Sequence, residues 1–197
     1  MTNRIALILA PGFADWEYAL IAGTGGPFYG LEVDFFASAQ GKFRSQGGLV
    51  VEVSRSIAEL TEWHPDVLAV IGGTIWETEN APDISWLLKE HHDRGATLAG
   101  ICGGTLALAR AGLLNDRAHT SNDLGFLERN VKDYAGGHCF VPSACAISDS
   151  RVITAPGTAP VSFAAEVFRA AGMEETTTRQ FRTMLAAEHG SYPSVSK

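Results

Sequence analysis

The stretch Ala99-Gly100-Ile101-Cys102-Gly103-Gly104-Thr105 constrains this chain more than any other. It joins an apolar run at 96–101 to a helix-forming run at 106–111, with small residues on both sides of one cysteine. A short buried strand that turns at once into a helix has the form of a nucleophile elbow. Its glycines permit the sharp turn and clear space for the Cys102 sulfur at the carboxyl end of the strand. The unpaired N–H groups of the helix's first turn point toward that sulfur and favour its charged form. Such surroundings bring a thiol from its usual ~8.5 to between ~3.5 and ~7.5, and Cys102 is expected in that lower range. A structural cysteine would pack like a small hydrophobe. However, Gly95, Gly100, Gly103 and Gly104 crowd this one stretch, and a plain core strand and helix gain nothing from them.

The rest of the composition narrows the class. A chain of 197 residues, 46% hydrophobic and 19% charged, suits one compact domain with a well-covered sheet. A net charge of −7 argues against nucleic acid or an anionic membrane as partner. No apolar stretch reaches the ~18 residues of a membrane helix, and the first residues enter a strand pattern, so neither a span nor a signal peptide is expected. The three cysteines, Cys102, Cys139 and Cys145, form no CxxC pair and point to a reducing, cytoplasmic setting.

Apolar strands then alternate with helices. Strands are expected at 5–9, 31–37, 67–71 and 96–101, with a hairpin or edge excursion at 43–53 around Gly47-Gly48. Helices are expected at 16–22, stopped by Gly23 and the turn Gly25-Gly26-Pro27, and at 82–94, with Asp83 as cap and Gly95 as terminator. The elbow helix should end at Gly112. Beyond it, 117–122 reads as a short strand leading into a helix at 123–131, and 145–154 as a hairpin turning at Asp149-Ser150. After a loop at 155–158, a last core helix covers 159–171. The division is a domain at 1–175 and a polar extension at 176–197, helical at most to Glu188 and frayed from Ser191. The pattern is an α/β doubly wound fold with a mainly parallel sheet, whose ligands sit at the carboxyl ends of the strands.

Each loop after a core strand is therefore a candidate site. The first carries Asp15, read as a helix N-cap, and Glu17, which could reach the sulfur or simply complement the helix dipole. In the second, Gly72-Gly73-Thr74 offers backbone N–H groups suited to an oxyanion hole, with Gly103 N–H as a second donor at the elbow. In the fourth, His119-Thr120-Ser121-Asn122, alternation puts Thr120 and Asn122 on one face and His119 and Ser121 on the other. Trp16 and Trp76 could wall the pocket, and His138 could line it as a distant base. Packing is the default for Cys139 and Cys145, and adjacent His91 and His92 face different ways on a helix. His64 and His189 stand in a loop and the tail. No metal cluster or phosphate-binding fingerprint is found, so no cofactor is expected.

The segments Ala-Gly-Ile-Cys-Gly-Gly, Pro-Gly-Phe-Ala-Asp-Trp-Glu, Val-Ile-Gly-Gly, His-Thr-Ser-Asn and Thr-Ala-Pro-Gly-Thr-Ala-Pro together resemble the ThiJ/PfpI family of the class I glutamine amidotransferase-like superfamily. The resemblance spans nearly the whole chain and implies a flavodoxin-like three-layer sandwich that forms homodimers. It implies Cys102 as the reactive cysteine, Glu17 as the acid that hydrogen-bonds to it, and Gly73 and Gly103 as lining the oxyanion pocket. Two departures stand out. Protease-like members resemble a pattern in which His directly follows the nucleophile, where this chain has Gly103; a second His of other members falls on Asn122.

Peptide or glutamine amide hydrolysis needs a proton delivered to a poor amine leaving group, and both sources of imidazole are absent. What remains is a thiolate with a carboxyl partner. The leading expectation is a cysteine-dependent hydrolase, hydratase or glyoxalase-like enzyme acting on small electrophiles such as aldehydes, oxoaldehydes and isocyanides. In it Cys102 attacks, Glu17 moves the proton, Gly73 and Gly103 hold the oxyanion, and Asn122 orients substrate or water. The alternatives are a redox-responsive protein in which Cys102 is oxidised, and a pure binding module.

Overall fold

Ile5 and Leu7 leave the first strand on one side, Ala6 and Ile8 on the other, and all four are buried. Both faces of that strand are therefore covered, which forces helices onto both sides of the sheet. The computed structural model describes the backbone of residues 3–190 and side chains as far as residue 187. The order is β1 (Arg4–Ile8), α1 (Asp15–Tyr29), β2 (Glu32–Ala37), β3 (Gly41–Arg44), β4 (Val50–Val53), β5 (Arg55–Ser56), α2 (Leu60–Trp63) and β6 (Val67–Val70). Then come α3 (Ser85–Asp93), β7 (Thr97–Ile101), α4 (Gly104–Arg110), α5 (Leu124–Asn130), β8 (Ile147–Asp149), β9 (Val152–Ala155), α6 (Pro160–Ala170) and α7 (Glu175–Gly190).

The main sheet runs β5-β2-β1-β6-β7-β9-β8, parallel throughout except where β8 returns beside β9. The expected hairpin β3–β4 forms a separate ribbon. On one face Ile5, Leu7, Ala69 and Ile101 pack against Ile21 of α1, Phe163 and Phe168 of α6, and Phe181 of α7. On the other, Ile8, Leu68, Val70 and Leu98 pack against Leu87 and Leu88 of α3, Leu106 and Leu108 of α4, and Phe126 of α5. This is the expected doubly wound three-layer α/β architecture. Its strand order reverses between β1 and β6, and the crevice at that reversal lies at their carboxyl ends.

Several boundaries differ from expectation. α1 does not stop at Gly23 but continues through Pro27 to Tyr29. Gly25 is the reason: a Cβ there would stand 3.0 Å from Val33 and 3.1 Å from Phe168, so glycine lets the helix lie close on β2 and α6. This packing outweighs the weak helix propensity. The helix ends instead at Gly30, whose left-handed φ of 67° gives the usual cap. Asp15 is not the N-cap, a position Ala14 holds; its Oδ2 accepts from Gly47 N–H at 2.8 Å and pins the β3–β4 turn to α1.

Residues 117–122 make only an isolated bridge between His119 and Phe140, because β9 already has β7 on one side and β8 on the other. α3 begins later than expected, with Asp83 Oδ1 accepting from Ser85 N–H at 3.0 Å. α7 reaches Gly190 and docks through Phe181, whose ring lies 5.3 Å from that of Phe168. The expected fraying from Ser191 lies outside the described residues, as does the side chain of His189.

Glycine-to-alanine changes should split by environment. Gly23 is exposed within α1 with nothing within 4 Å of a Cβ, so Gly23→Ala should raise stability by ~0.5–1 kcal/mol. A Cβ on Gly104 would overlap the Val70 carbonyl, so Gly104→Ala should lower it by ~1–3 kcal/mol or more. Urea unfolding midpoints at constant slope check both signs.

Candidate functional site

The elbow is built by backbone contact. Cys102 sits at φ 52°, the left-handed region, which costs a non-glycine residue ~1–3 kcal/mol and persists only where surroundings enforce it. Here Cys102 N–H donates to Ala155 O at 3.0 Å, while its own carbonyl accepts from Thr105 N–H at 3.1 Å and from Thr105 Oγ1 at 2.6 Å. With the Thr105 proton committed to that carbonyl, Ser121 is the donor in the 2.7 Å bond between Ser121 Oγ and Thr105 Oγ1. The 117–122 segment is thereby tied to the first turn of α4. Ser121, expected to face away, thus makes this tie.

Glu17 arrives from the first turn of α1 with no solvent exposure. Its Oε2 accepts from Gly72 N–H at 2.7 Å, whereas Oε1 is buried without a donor of good geometry. Both carboxyl and sulfur crowd two glycines. A Cβ on Gly72 would stand 2.5 Å from Glu17 Oε2 and 2.9 Å from Cys102 Cβ; one on Gly157 would stand 3.0 Å from Cys102 Sγ and 3.3 Å from Glu17 Oε1. Glu17 therefore faces the sulfur as well as sitting at a helix N-terminus.

Asn122 closes another side. Its Nδ2 donates to Cys102 Sγ at 3.3 Å and its Oδ1 accepts from Gly157 N–H at 3.0 Å. Trp16, half-exposed, donates from Nε1 to Gly157 O at 2.9 Å, so the Gly157 peptide is held on both sides. Trp76 lies beneath the elbow, buried, with its Nε1 on Ile71 O at 2.9 Å. The Gly103 N–H, next along the chain, favours the charged sulfur. Gly103 and Gly73 touch through backbone, since a Cβ on Gly103 would lie 2.7 Å from Gly73 O. Thr120 shares the segment but is fully buried; its N–H donates to Thr154 Oγ1 at 2.8 Å, and its own hydroxyl oxygen has no partner.

Burial pushes Glu17 up to about 7, against the Gly72 N–H and the facing Cys102 thiol, which pull it down. Burial also pushes the Cys102 thiol up, and a charged Glu17 pushes it further, to about 11, while Asn122 and Gly103 pull it back. The expectation that the elbow by itself holds a low-pKa thiolate is thus corrected: loss of water outweighs the helix N–H groups. The repulsive part disappears once Glu17 carries a proton, so ionisation of the sulfur is tied to protonation of Glu17.

Among the described residues, no histidine hydrogen-bonds Glu17 or Cys102. His119 is buried with Nδ1 2.8 Å from Arg117 O and Nε2 2.6 Å from Tyr134 Oη, and His138 is exposed on a short 3-10 turn. His91 is buried and His92 points outward to Ser150 O at 3.2 Å, facing different ways as expected. Cys139 is half-buried but Cys145 is exposed, so packing does not account for the latter. Among the described residues no group of three or more His, Cys, Asp or Glu could hold a metal, and no helix is long and apolar enough to cross a membrane.

Gly157 is the site residue that sequence reasoning left without a role, visible only as part of a loop. Gly72, expected with its loop to offer an N–H to an oxyanion, instead donates that N–H to Glu17. Asp15, two residues from Glu17, turns away to Gly47.

Known proteins share this arrangement of chain. The chain is 33% identical over 175 residues to the "Uncharacterized protease YoaZ" of Bacillus subtilis, covering 85% of this chain and 83% of that protein. Among solved structures, the DJ-1 superfamily protein Atu0886 from Agrobacterium tumefaciens superposes with a TM-score of 0.89 at 38% identity, over 96% of this chain and 100% of the other. The thiJ/pfpI family protein from Bacillus anthracis gives 0.84 at 27% identity, over 95% and 92%. The model of the DJ-1/PfpI family matches residues 3–170, nearly all of the folded chain, and the protein belongs to that family.

Proposed function

We propose that this protein is a thiol enzyme acting on small electrophiles, with aldehydes, oxoaldehydes and isocyanides as the substrate class. The observation that carries the reading is the asymmetry of Glu17: Oε2 is satisfied by Gly72 N–H, and Oε1 is buried beside the sulfur without a donor. A proton on Oε1 satisfies that oxygen and donates to a thiolate, relieving both groups at once. The Cys102 sulfur then adds to the electrophilic carbon and forms the C–S bond. For a carbonyl substrate, the C=O electron pair moves onto oxygen, where Gly73 and Gly103 N–H groups hold the charge. Glu17 delivers its proton to that oxygen and becomes the carboxylate. In a hydration the carboxylate then takes a proton from water as the water oxygen bonds the carbon and the C–S bond breaks to release the thiolate. With an oxoaldehyde it takes the proton of the carbon that bears sulfur and returns it to the neighbouring carbon, the hydroxyl proton passing to the second oxygen to leave a thioester. Water cleaves the C–S bond of that thioester to give a hydroxy acid and the free thiol.

Expelling a peptide amine asks for a further proton carrier. The positions where related proteins are expected to hold histidine are Gly103 and Asn122 here, which speaks against peptide hydrolysis even though a relative bears the name protease. The same donors around the sulfur would also suit an oxidised Cys102, and the two readings separate by turnover. Across a panel of methylglyoxal, simple aldehydes and isocyanides, measurable turnover that Cys102→Ala abolishes supports the enzyme. Peroxide-titrated oxidation at Cys102 with no turnover on the panel overturns it in favour of a redox role.

Two outcomes bear on Glu17. Glu17→Gln retains an acceptor for Gly72 N–H but cannot transfer a proton, so turnover should fall by ~10²-fold or more. Stability gives an independent check. A carboxyl raised from its usual 4.5 to about 7 contributes stability that is full below 4.5 and lost as pH rises through 7. Glu17→Gln should therefore exceed the wild type by ~1–3 kcal/mol at pH 8 and lose that advantage near pH 4, as read from urea unfolding.

A further inference from the structure

Asn122 is exposed, yet both ends of its amide are engaged. Gly157 N–H can only donate, so the atom it meets at 3.0 Å must be an acceptor, the carbonyl Oδ1. The amide plane then leaves only Nδ2 to face Cys102 Sγ, at 3.3 Å. Gly157 is itself held from the far side, by the Trp16 indole N–H on its carbonyl at 2.9 Å. The preceding residue is anchored too, through Ser121 and Thr105. The amide has no freedom to flip while these contacts stand.

We infer that Asn122 is a fixed hydrogen-bond donor to the Cys102 sulfur, locked in that orientation by Gly157 and, behind it, Trp16. It supports the ionised sulfur directly instead of orienting substrate or water. An amide N–H favours a thiolate over a thiol, and unlike an imidazole it keeps its donor at every working pH. The titratable group facing the sulfur is Glu17, from α1. The β6 and β9 loops bring Gly72 and Gly157, which do not titrate, and Asp123, next to Asn122, is turned to Phe126 N–H at 2.7 Å. Sulfur ionisation should thus follow the Glu17–Cys102 pair alone, with no histidine limb. The inference rests on the reactive sulfur of the proposed function but not on any substrate.

The test is the pH dependence of iodoacetamide alkylation in the full chain carrying Cys139→Ser and Cys145→Ser, so that the label reports Cys102. Asn122→Ala removes the donor and should slow alkylation at pH 7 by ~3–10-fold. Asn122→Asp can still accept from Gly157 N–H but sets a negative charge against the sulfur. It should slow the reaction by ~10-fold or more and move the rise of the profile about one pH unit upward. Trp16→Phe loses only the indole N–H and should give a smaller loss of ~2–3-fold with its profile in place. A wild-type profile in Asn122→Asp, or an unchanged rate in Asn122→Ala, overturns the inference. Altered profiles in the variants of a protein that turns over nothing on the electrophile panel overturn the proposed enzyme and leave this assignment standing.

Discussion

Glu17 has no exposed surface and one N–H on one of its oxygens, so as a carboxylate it would give up far more hydration than it recovers. Its neighbour, the Cys102 sulfur, is partly exposed but has also lost much of its hydration, and its donors are weaker. Burial disfavours both charged forms and each charge opposes the other, so ionisation of one is tied to a proton on the other. The site's geometry serves that proton. Gly72 N–H selects Oε2 as acceptor, Asn122 points a donor at sulfur, and Oε1 is left as the oxygen where a proton relieves both partners.

Bringing these groups together depends on how closely the backbone can approach. β1 and β6 are neighbours, and the loops after them are tied across their carboxyl ends: Ala14 N–H donates to Gly72 O at 3.0 Å, and Phe13 bridges Gly73. The elbow after β7 is pressed onto that junction, where Gly103 touches Gly73 and Gly104 touches Val70. The left-handed Cys102 is held by β9 through the Ala155 carbonyl. A fully buried parallel core on both faces supplies the rigidity against which this local strain is maintained.

The sequence made the central layer legible because its strands are apolar on both faces, a pattern that only a doubly covered parallel sheet explains. Cys102 and Glu17 were legible for a related reason. Strand-end loops are where this architecture gathers its ligands, and those loops carry one cysteine and one inward-facing acid. Errors arose where a tertiary contact overrode a local signal. Gly25 reads as a breaker until Phe168 and Val33 are seen against it; Asp15 reads as a cap until Gly47 comes back to it from the hairpin. The ionisation of Cys102 was misjudged because helix N–H groups can be read from spacing, whereas the loss of water around a sulfur enclosed by Gly72, Gly157 and Glu17 requires three separate loops to be in place. Ser121 reached the elbow for a similar reason: without a sheet edge to pair with, its segment does not alternate as a strand does.

A glycine at 103 and an asparagine at 122 have a consequence for the chemistry proposed. Addition of a thiolate to a small carbonyl or isocyanide calls for one proton, delivered where the new charge appears, and the Glu17–Cys102 pair holds one. Cleavage of a peptide calls for two protonation events at different atoms, one of them at a strongly basic amine on the far side of the tetrahedral carbon. Gly103 contributes only backbone there, and Asn122 donates without ever releasing its proton. Glu17 is buried on the sulfur's side, and among the described residues it hydrogen-bonds no second carboxyl or imidazole that could hand its proton on. On the proposed function, one proton shared by Glu17 and Cys102 is enough for additions in which nothing basic has to leave.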